Sequence, residues 1–222
     1  MNKLIKLHLG CGERYFDGYV NIDYPQDHQT IIKSKADKFC DILDLHYKPN
    51  SIDEIRLHHV FEHFDRPTAI ALLCKWRTWL KPGGLLRIET PDAEACYKMM
   101  ISPFLSFDAK QQVNRHLFGS HEASWAVHWD GWYKDKYKIT LEKLGYNDLK
   151  FVKNKWGLLR NIEVFARKDN RSISDSKYSK ISKEILVHST VRVNQNNPNI
   201  PMGSEINTIN TWMDKWRKVF AL

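Results

Sequence analysis

The stretch Leu7-His8-Leu9-Gly10-Cys11-Gly12 runs an apolar segment directly into a Gly-x-Gly turn. A backbone free of Cβ atoms lets a ligand approach closely, so Gly10, Cys11 and Gly12 are candidate ligand-binding residues. Asp23 closes the next apolar segment, where a carboxylate can accept from both hydroxyls of a ribose. Asp41 closes the one after, and beside Ile42 it can face an adenine amino group. Gly12 and Asp23 lie eleven residues apart, against the roughly 20 of a dinucleotide site. Arg14 stands where a third glycine would be. Both features argue against a nicotinamide dinucleotide, whose pyrophosphate needs a helix N-terminus there. Further on, His59-Val60-Phe61-Glu62-His63 follows His58. On a helix His59 and His63 would share one face and a zinc ion, with Glu62 as base, although Pro67 leaves little room for that helix. The simpler expectation is that Glu62 and His63 cap and hydrogen-bond the helix beneath the glycine turn, with no metal. His128 is a candidate general base. Trp125, Trp129, Trp132 and Tyr133 crowd around it, and their flat faces suit sugar rings or serve equally as core or lid packing.

These residues need a frame. Segments 5–9, 19–23, 39–42, 52–58, 85–90, 149–152 and 162–167 read as strands, the first stopped by glycines and the second by Pro25. Asp65 caps a helix with Pro67 in its first turn and a stripe of Ala69, Leu72, Leu73, Trp76, Trp79 and Leu80, ended by Lys81-Pro82-Gly83-Gly84. A second helix spans Lys134 to Leu144, with Gly145 in the C-terminal cap position. Strands alternating with helices predict an α/β fold, a mostly parallel sheet covered on both faces, with ligands at the strands' carboxyl ends. After Lys168 the composition turns Ser- and Lys-rich. Residues 171–183 read as a linker, 184–193 as a strand or hairpin and 195–201 as a loop. Ile206, Ile209, Trp212, Met213, Trp216, Val219 and Phe220 then mark an amphipathic helix, which either docks on the main domain or makes a homodimer contact.

Composition narrows the partners. The chain of 222 residues carries a net charge of +8 at 42% hydrophobic content, which excludes disorder as the main state. The excess is spread along the chain: 26 basic against 22 acidic residues over positions 1–170, and 8 against 4 over 171–222. No run of five basic residues occurs, so a solvated basic surface is preferred to a nucleic-acid interface. No apolar run approaches the ~18 residues of a membrane span. Residues 1–8 lack the apolar core of a secretion signal. Cys11, Cys40, Cys74 and Cys96 form no C-x-x-C pair and read as buried free thiols. Together these predict a cytoplasmic protein without membrane attachment.

Six motifs in order, Leu7 to Gly12, Gly18 to Asp23, Cys40 to Leu45, Ser51 to Ile55, His59 to His63 and Leu80 to Ile88, resemble the class I S-adenosylmethionine-dependent methyltransferases. Within them the chain looks like a small bacterial branch associated with glycan and surface-polysaccharide genes. The resemblance implies a Rossmann-like, doubly wound, seven-stranded methyltransferase domain over residues 1–168 with a C-terminal extension over 169–222. It implies that Gly10, Cys11 and Gly12 pass beneath the methionine moiety, Asp23 binds the ribose, Asp41 and the Ile42 backbone frame the adenine, and His58 lines the cleft. His8 replaces the acid common near the start of the first motif. Some related enzymes hold a divalent metal with a Glu-x-x-Glu-His segment, a role open here to His59, Glu62 and His63 with a distal histidine but not the favoured one. The implied reaction is O-methylation of a glycan or small hydroxylated metabolite. A nucleic-acid methyltransferase and a non-catalytic cofactor-binding scaffold are the alternatives; the Asn/Asp-Pro-Pro-Tyr segment of base-amino methylation is absent.

Overall fold

The computed structural model describes residues 4–25 and 33–221. Met1, Asn2 and Lys3, the start of the segment read as lacking a secretion signal, lie outside the described residues. Strands β1 (Lys6–Leu9), β2 (Val20–Asp23), β3 (Lys38–Phe39), β4 (Ile52–His58), β5 (Leu80–Pro91), β6 (Tyr146–Trp156) and β7 (Leu159–Lys168) make one sheet in the order β3-β2-β1-β4-β5-β7-β6. The first five run parallel; β7 is antiparallel to both β5 and β6. This is the expected Rossmann-like, mostly parallel α/β sheet. Leu7, Leu9, Ile55, Leu57, Leu86 and Ile88 are fully buried, which is why the central strands read as near-continuous apolar runs. Strand order reverses between β1 and β4, so their carboxyl ends open a crevice at Gly10 and His58.

Helix α1 (Arg66–Trp79) starts where Asp65 accepts from the Thr68 backbone N–H. It is buried all round, not only along its predicted stripe, because two later helices cover its outer side. These are α5 (Asp175–Val187) and α6 (Glu205–Ala221). Between β5 and β6 come α2 (Ala93–Met100), α3 (Phe107–Phe118) and α4 (Lys134–Lys143).

Four expectations are corrected. The third strand stops at Phe39, because the Asp41 carboxylate takes the Leu43 N–H and starts a 3-10 turn over Ile42–Asp44. The glycine-rich turn at 81–84 sits inside β5 as an irregularity, since Leu80 pairs with Ile52 and Leu85 with Glu54. The segment read as a linker is mostly α5, capped by Ser174 and burying Tyr178, Ser182, Ile185 and Leu186 at helical spacing. The hairpin falls later than expected, as β8 (Val193–Asn194) against β9 (Asn197–Pro201). The stripe of α6, carried by Ile209, Met213, Trp216 and Val219, is buried against α1 and α5, which is the docking alternative.

One side chain ties these pieces together. Arg77 of α1, 2% exposed, donates to the Gly145 and Arg171 carbonyls, the Tyr178 hydroxyl and the Asp169 carboxylate. Among the described residues no helix is long and apolar enough to cross a membrane. Cys11, Cys74 and Cys96 are buried free thiols and Cys40 is half-buried.

Candidate functional site

At the end of β1 the chain turns sharply. Gly10 and Gly12 have φ of +66° and +53°, a backbone region that disfavours side chains. A Cβ on Gly10 would lie 2.4 Å from Val60 Cγ2, so the turn also packs against the loop after β4. Cys11 is buried; its N–H donates to the Ile22 carbonyl at 3.0 Å and its thiol lies 3.4 Å from Ser34 Oγ. Gly12 N–H donates to Asp23 Oδ2 at 3.1 Å and Tyr24 N–H to Oδ1 at 2.9 Å. Each oxygen keeps a further lone pair, so Asp23 is held in place and still able to accept from hydroxyls. Cys40 N–H donates to the Asp23 carbonyl, which brings Asp41 and buried Ile42 alongside the same strand end. Asp41 Oδ1 is spent on the Leu43 N–H at 2.8 Å. His8 takes no part in the crevice. It is fully buried, 3.1 Å from Asn21 Oδ1 and packed on Phe16, and burial lowers its pKa to about 4.

His58, the last residue of β4, is in register with Glu89 on β5, and its Nε2 lies 2.9 Å from Glu89 Oε1. Arg14, from the glycine turn, reaches the same ring. His59 has φ +54° and leaves the strand with its ring between Glu62 Oε1 at 3.2 Å and Glu89 Oε1 at 3.4 Å. Burial opposes its charge, but the two carboxylates raise its pKa to about 9. Burial pushes Glu89 up in turn, yet hydrogen bonds from His58 and His59 hold it well below the usual carboxylate range. Residues Phe61–His63 form a single 3-10 turn. The helix that would align His59 and His63 on one face is therefore not formed, and the two histidines join different groups.

His63 belongs with Glu62 and His128. Glu62 is 2% exposed, and its Oε2 has no hydrogen-bond partner among the described residues. Burial pushes this carboxyl up, while His59, His63 and His128 bring it down to about 2. The His63 and His128 rings meet edge to face, centroids 4.6 Å apart. Burial lowers the His128 pKa to about 4, and its Nδ1 is buried without a partner. Gly119, at φ +92°, lets the chain fold back after α3; its backbone bridges Val127, and His128 N–H donates to the Phe118 carbonyl. Among the described residues two groups could hold a metal: His58, His59 and Glu89, and Glu62, His63 and His128.

His128 also lines a cavity of about 680 Å³ with Tyr97, Trp129 and Tyr133. Trp129 is 59% exposed and Tyr97 54%, flat faces open to a ligand. Asp130 is held by Lys136 at 2.6 Å and Arg66 at 3.4 Å. Residues 185, 186, 188 and 189, at the end of α5, complete the wall. Trp132, by contrast, is fully buried against Phe61 and Tyr137 and belongs to the core. Arg14, Glu89, Tyr97, Arg66 and Lys136 were not among the residues singled out for a site role in the sequence. Only Glu89 carried a signal there, as an acid inside the fifth predicted strand.

Residues 7–88 match the methyltransferase domain family. No curated protein matches the chain in sequence. Among solved structures, a SAM-dependent methyltransferase from Archaeoglobus fulgidus is 15% identical, covering 74% of this chain and 86% of its own, with a TM-score of 0.50. A complex between the Haloferax volcanii Trm112 methyltransferase activator and the putative methyltransferase is 12% identical over 78% of this chain and 85% of that one, also at 0.50. At such identities the likeness establishes the fold, a class I methyltransferase sheet.

Proposed function

We propose that this S-adenosylmethionine-dependent methyltransferase transfers its methyl group to a hydroxyl oxygen of a sugar or other small hydroxylated acceptor. The crevice fits the cofactor on two counts. The two glycines keep its floor free of side chains, and Asp23 is fixed by two backbone donors with accepting capacity to spare. Gly10, Cys11 and Gly12 would pass beneath the methionine moiety, Asp23 would take the ribose hydroxyls, Asp41 and the Ile42 backbone would frame the adenine, and His58 would line the cleft. When bound, the cofactor supplies an electrophilic methyl carbon on a sulfonium.

The chain's own residues then position and dry the acceptor, which is where most of the rate of an in-line transfer arises. Trp129, Tyr97 and Tyr133 offer stacking faces, and Asp130, braced by two cations, offers a fixed hydrogen-bond acceptor for ring hydroxyls. His128 stands at the acceptor, but a pKa near 4 makes it a weak proton acceptor at neutral pH. Its contribution is made jointly with Glu62 and His63. The observation that carries the acceptor class is this cavity, with open aromatic faces and polar anchors, and with its two lining cations, Arg66 and Lys136, both engaged by Asp130. The resemblance to the polysaccharide-associated branch points the same way.

The test is transfer of an isotope-labelled methyl group to a panel of mono- and oligosaccharides, hydroxylated metabolites, RNA, DNA and amines. Alkali-stable label on a hydroxylated acceptor is the expected result. Label found only on nucleic acid or on nitrogen overturns the acceptor class. Cofactor binding without transfer to any acceptor favours the scaffold alternative.

A further inference from the structure

We infer that Glu62, His63 and His128 form a binding site for one divalent first-row transition-metal cation, with open coordination positions facing the aromatic cavity. The three ligand atoms lie within 4.8 Å of one another. Two of the three side chains are oriented from behind. His59 Nδ1 bonds Glu62 Oε1 at 3.2 Å, leaving Oε2, buried and without a partner, aimed forward. The Val127 carbonyl takes His63 Nδ1 at 3.2 Å, leaving Nε2 with the lone pair. His128 Nδ1 is likewise buried and without a partner among the described residues. A histidine whose second nitrogen is held by a carbonyl is the usual support of a metal ligand. Three acceptors face one another here with no donor between them, an arrangement that a cation resolves and that a hydrogen-bonded core would not adopt.

Two imidazoles and one carboxylate suit manganese, iron, cobalt or zinc rather than magnesium or calcium, which take all-oxygen shells. The neighbouring group of His58, His59 and Glu89 is unlike this one. Both imidazoles already contact Glu89 Oε1, Asn154 donates to Oε2, and the Arg14 guanidinium sits on His58, so its charges are already matched. His128 also lines the cavity, which gives a ligand access to the site. Resting on the acceptor class proposed above, the cation would acidify the bound hydroxyl so that its proton passes to solvent water. The oxygen then attacks the methyl carbon; the C–O bond forms as the C–S bond breaks, and the electron pair stays on sulfur.

The test titrates untagged, chelator-treated full-length protein with Co2+ and follows the visible d–d bands. One equivalent is expected to bind. His128→Asn and Glu62→Gln should each weaken binding at least tenfold, while His46→Asn, on the exposed surface, leaves it unchanged. Circular dichroism and cofactor titration confirm that each variant folds and keeps its cofactor crevice, and His128→Asn is the gentler change should Glu62→Gln fail to fold. Absence of Co2+ binding, or affinity unaltered in the folded variants, overturns the site. Sugar methylation by a protein that binds no Co2+ would leave the acceptor class standing and remove the metal; Co2+ bound as expected with no hydroxyl methylated would do the reverse.

Discussion

Two buried polar groups of this molecule are opposites. Around Arg77 every guanidinium nitrogen has an acceptor: two backbone carbonyls, a tyrosine hydroxyl and a carboxylate enclose it and lock α1, the end of β7 and α5 together. Around Glu62, His63 and His128 acceptors face acceptors, and two buried atoms have no partner. A single buried atom without a partner occurs elsewhere, as at Trp76 and Trp216, but two acceptors converging with a third ligand atom within 4.8 Å is a costlier arrangement that a bound cation would relieve. Completeness is what architecture requires of Arg77, and incompleteness is what the proposed site requires of the other group.

The contrast can be broken experimentally. Arg77→Met should be the most damaging change, lowering unfolding free energy by about 3–5 kcal/mol in urea titrations, because it strands several polar partners. A loss below about 1 kcal/mol would mean the network is ornamental. Acidification probes a third buried imidazole, His8, which lacks a ring of acceptors. Its native pKa, near 4, lies below the unfolded value of 6.5. The unfolded chain therefore gains a proton that the native chain refuses, and stability falls as pH drops through this window. By pH 4 the parent should have lost about 3 kcal/mol more than His8→Gln, read from melts at stepped pH. Asp23→Ala strands two backbone donors and should cost about 1–2 kcal/mol of stability without unfolding the protein, but weaken S-adenosylmethionine binding by roughly 30- to 100-fold, the scale of losing charged hydrogen bonds. Equal affinity in calorimetry would move the ribose site elsewhere. The smallest effect is expected at the incomplete cluster. His128→Leu removes an unmatched nitrogen and should cost under about 1 kcal/mol in metal-free protein, while abolishing transfer to the acceptor.

Much of this was legible in the residues. Parallel strands buried on both faces announce themselves as apolar runs, and Gly10, Gly12 and Asp23 fell at strand ends where the fold places ligands. Helix α5 was hidden because Ser and Lys fill the positions between Tyr178, Ile181, Ile185 and Leu186, which masks a helical stripe under a linker composition. Segment 92–118 gave no signal, since α2 and α3 bury only Ala93, Cys96, Val113 and Leu117, while Phe107 and, in the connection between them, Phe104 are exposed. The spacing of His59, Glu62 and His63 suggested one shared helical face, and a single 3-10 turn undid it. That His128 would complete the group depended on Gly119 reversing the chain, a tertiary event that no spacing encodes.

Helix α5 reaches the cavity at residues 185–189 while α6 anchors Asp65, the cap of α1, through Lys215. Both helices pack mainly on α1 and on each other, not on the strands that carry the glycine turn and Asp23. On the proposed assignment, recognition of the cofactor and recognition of the acceptor are thus written in separate stretches of the chain, the first early and the second partly in its last quarter. A lineage, or an engineer, can rewrite the closing segment to change what is methylated without renegotiating the machinery that delivers the methyl group.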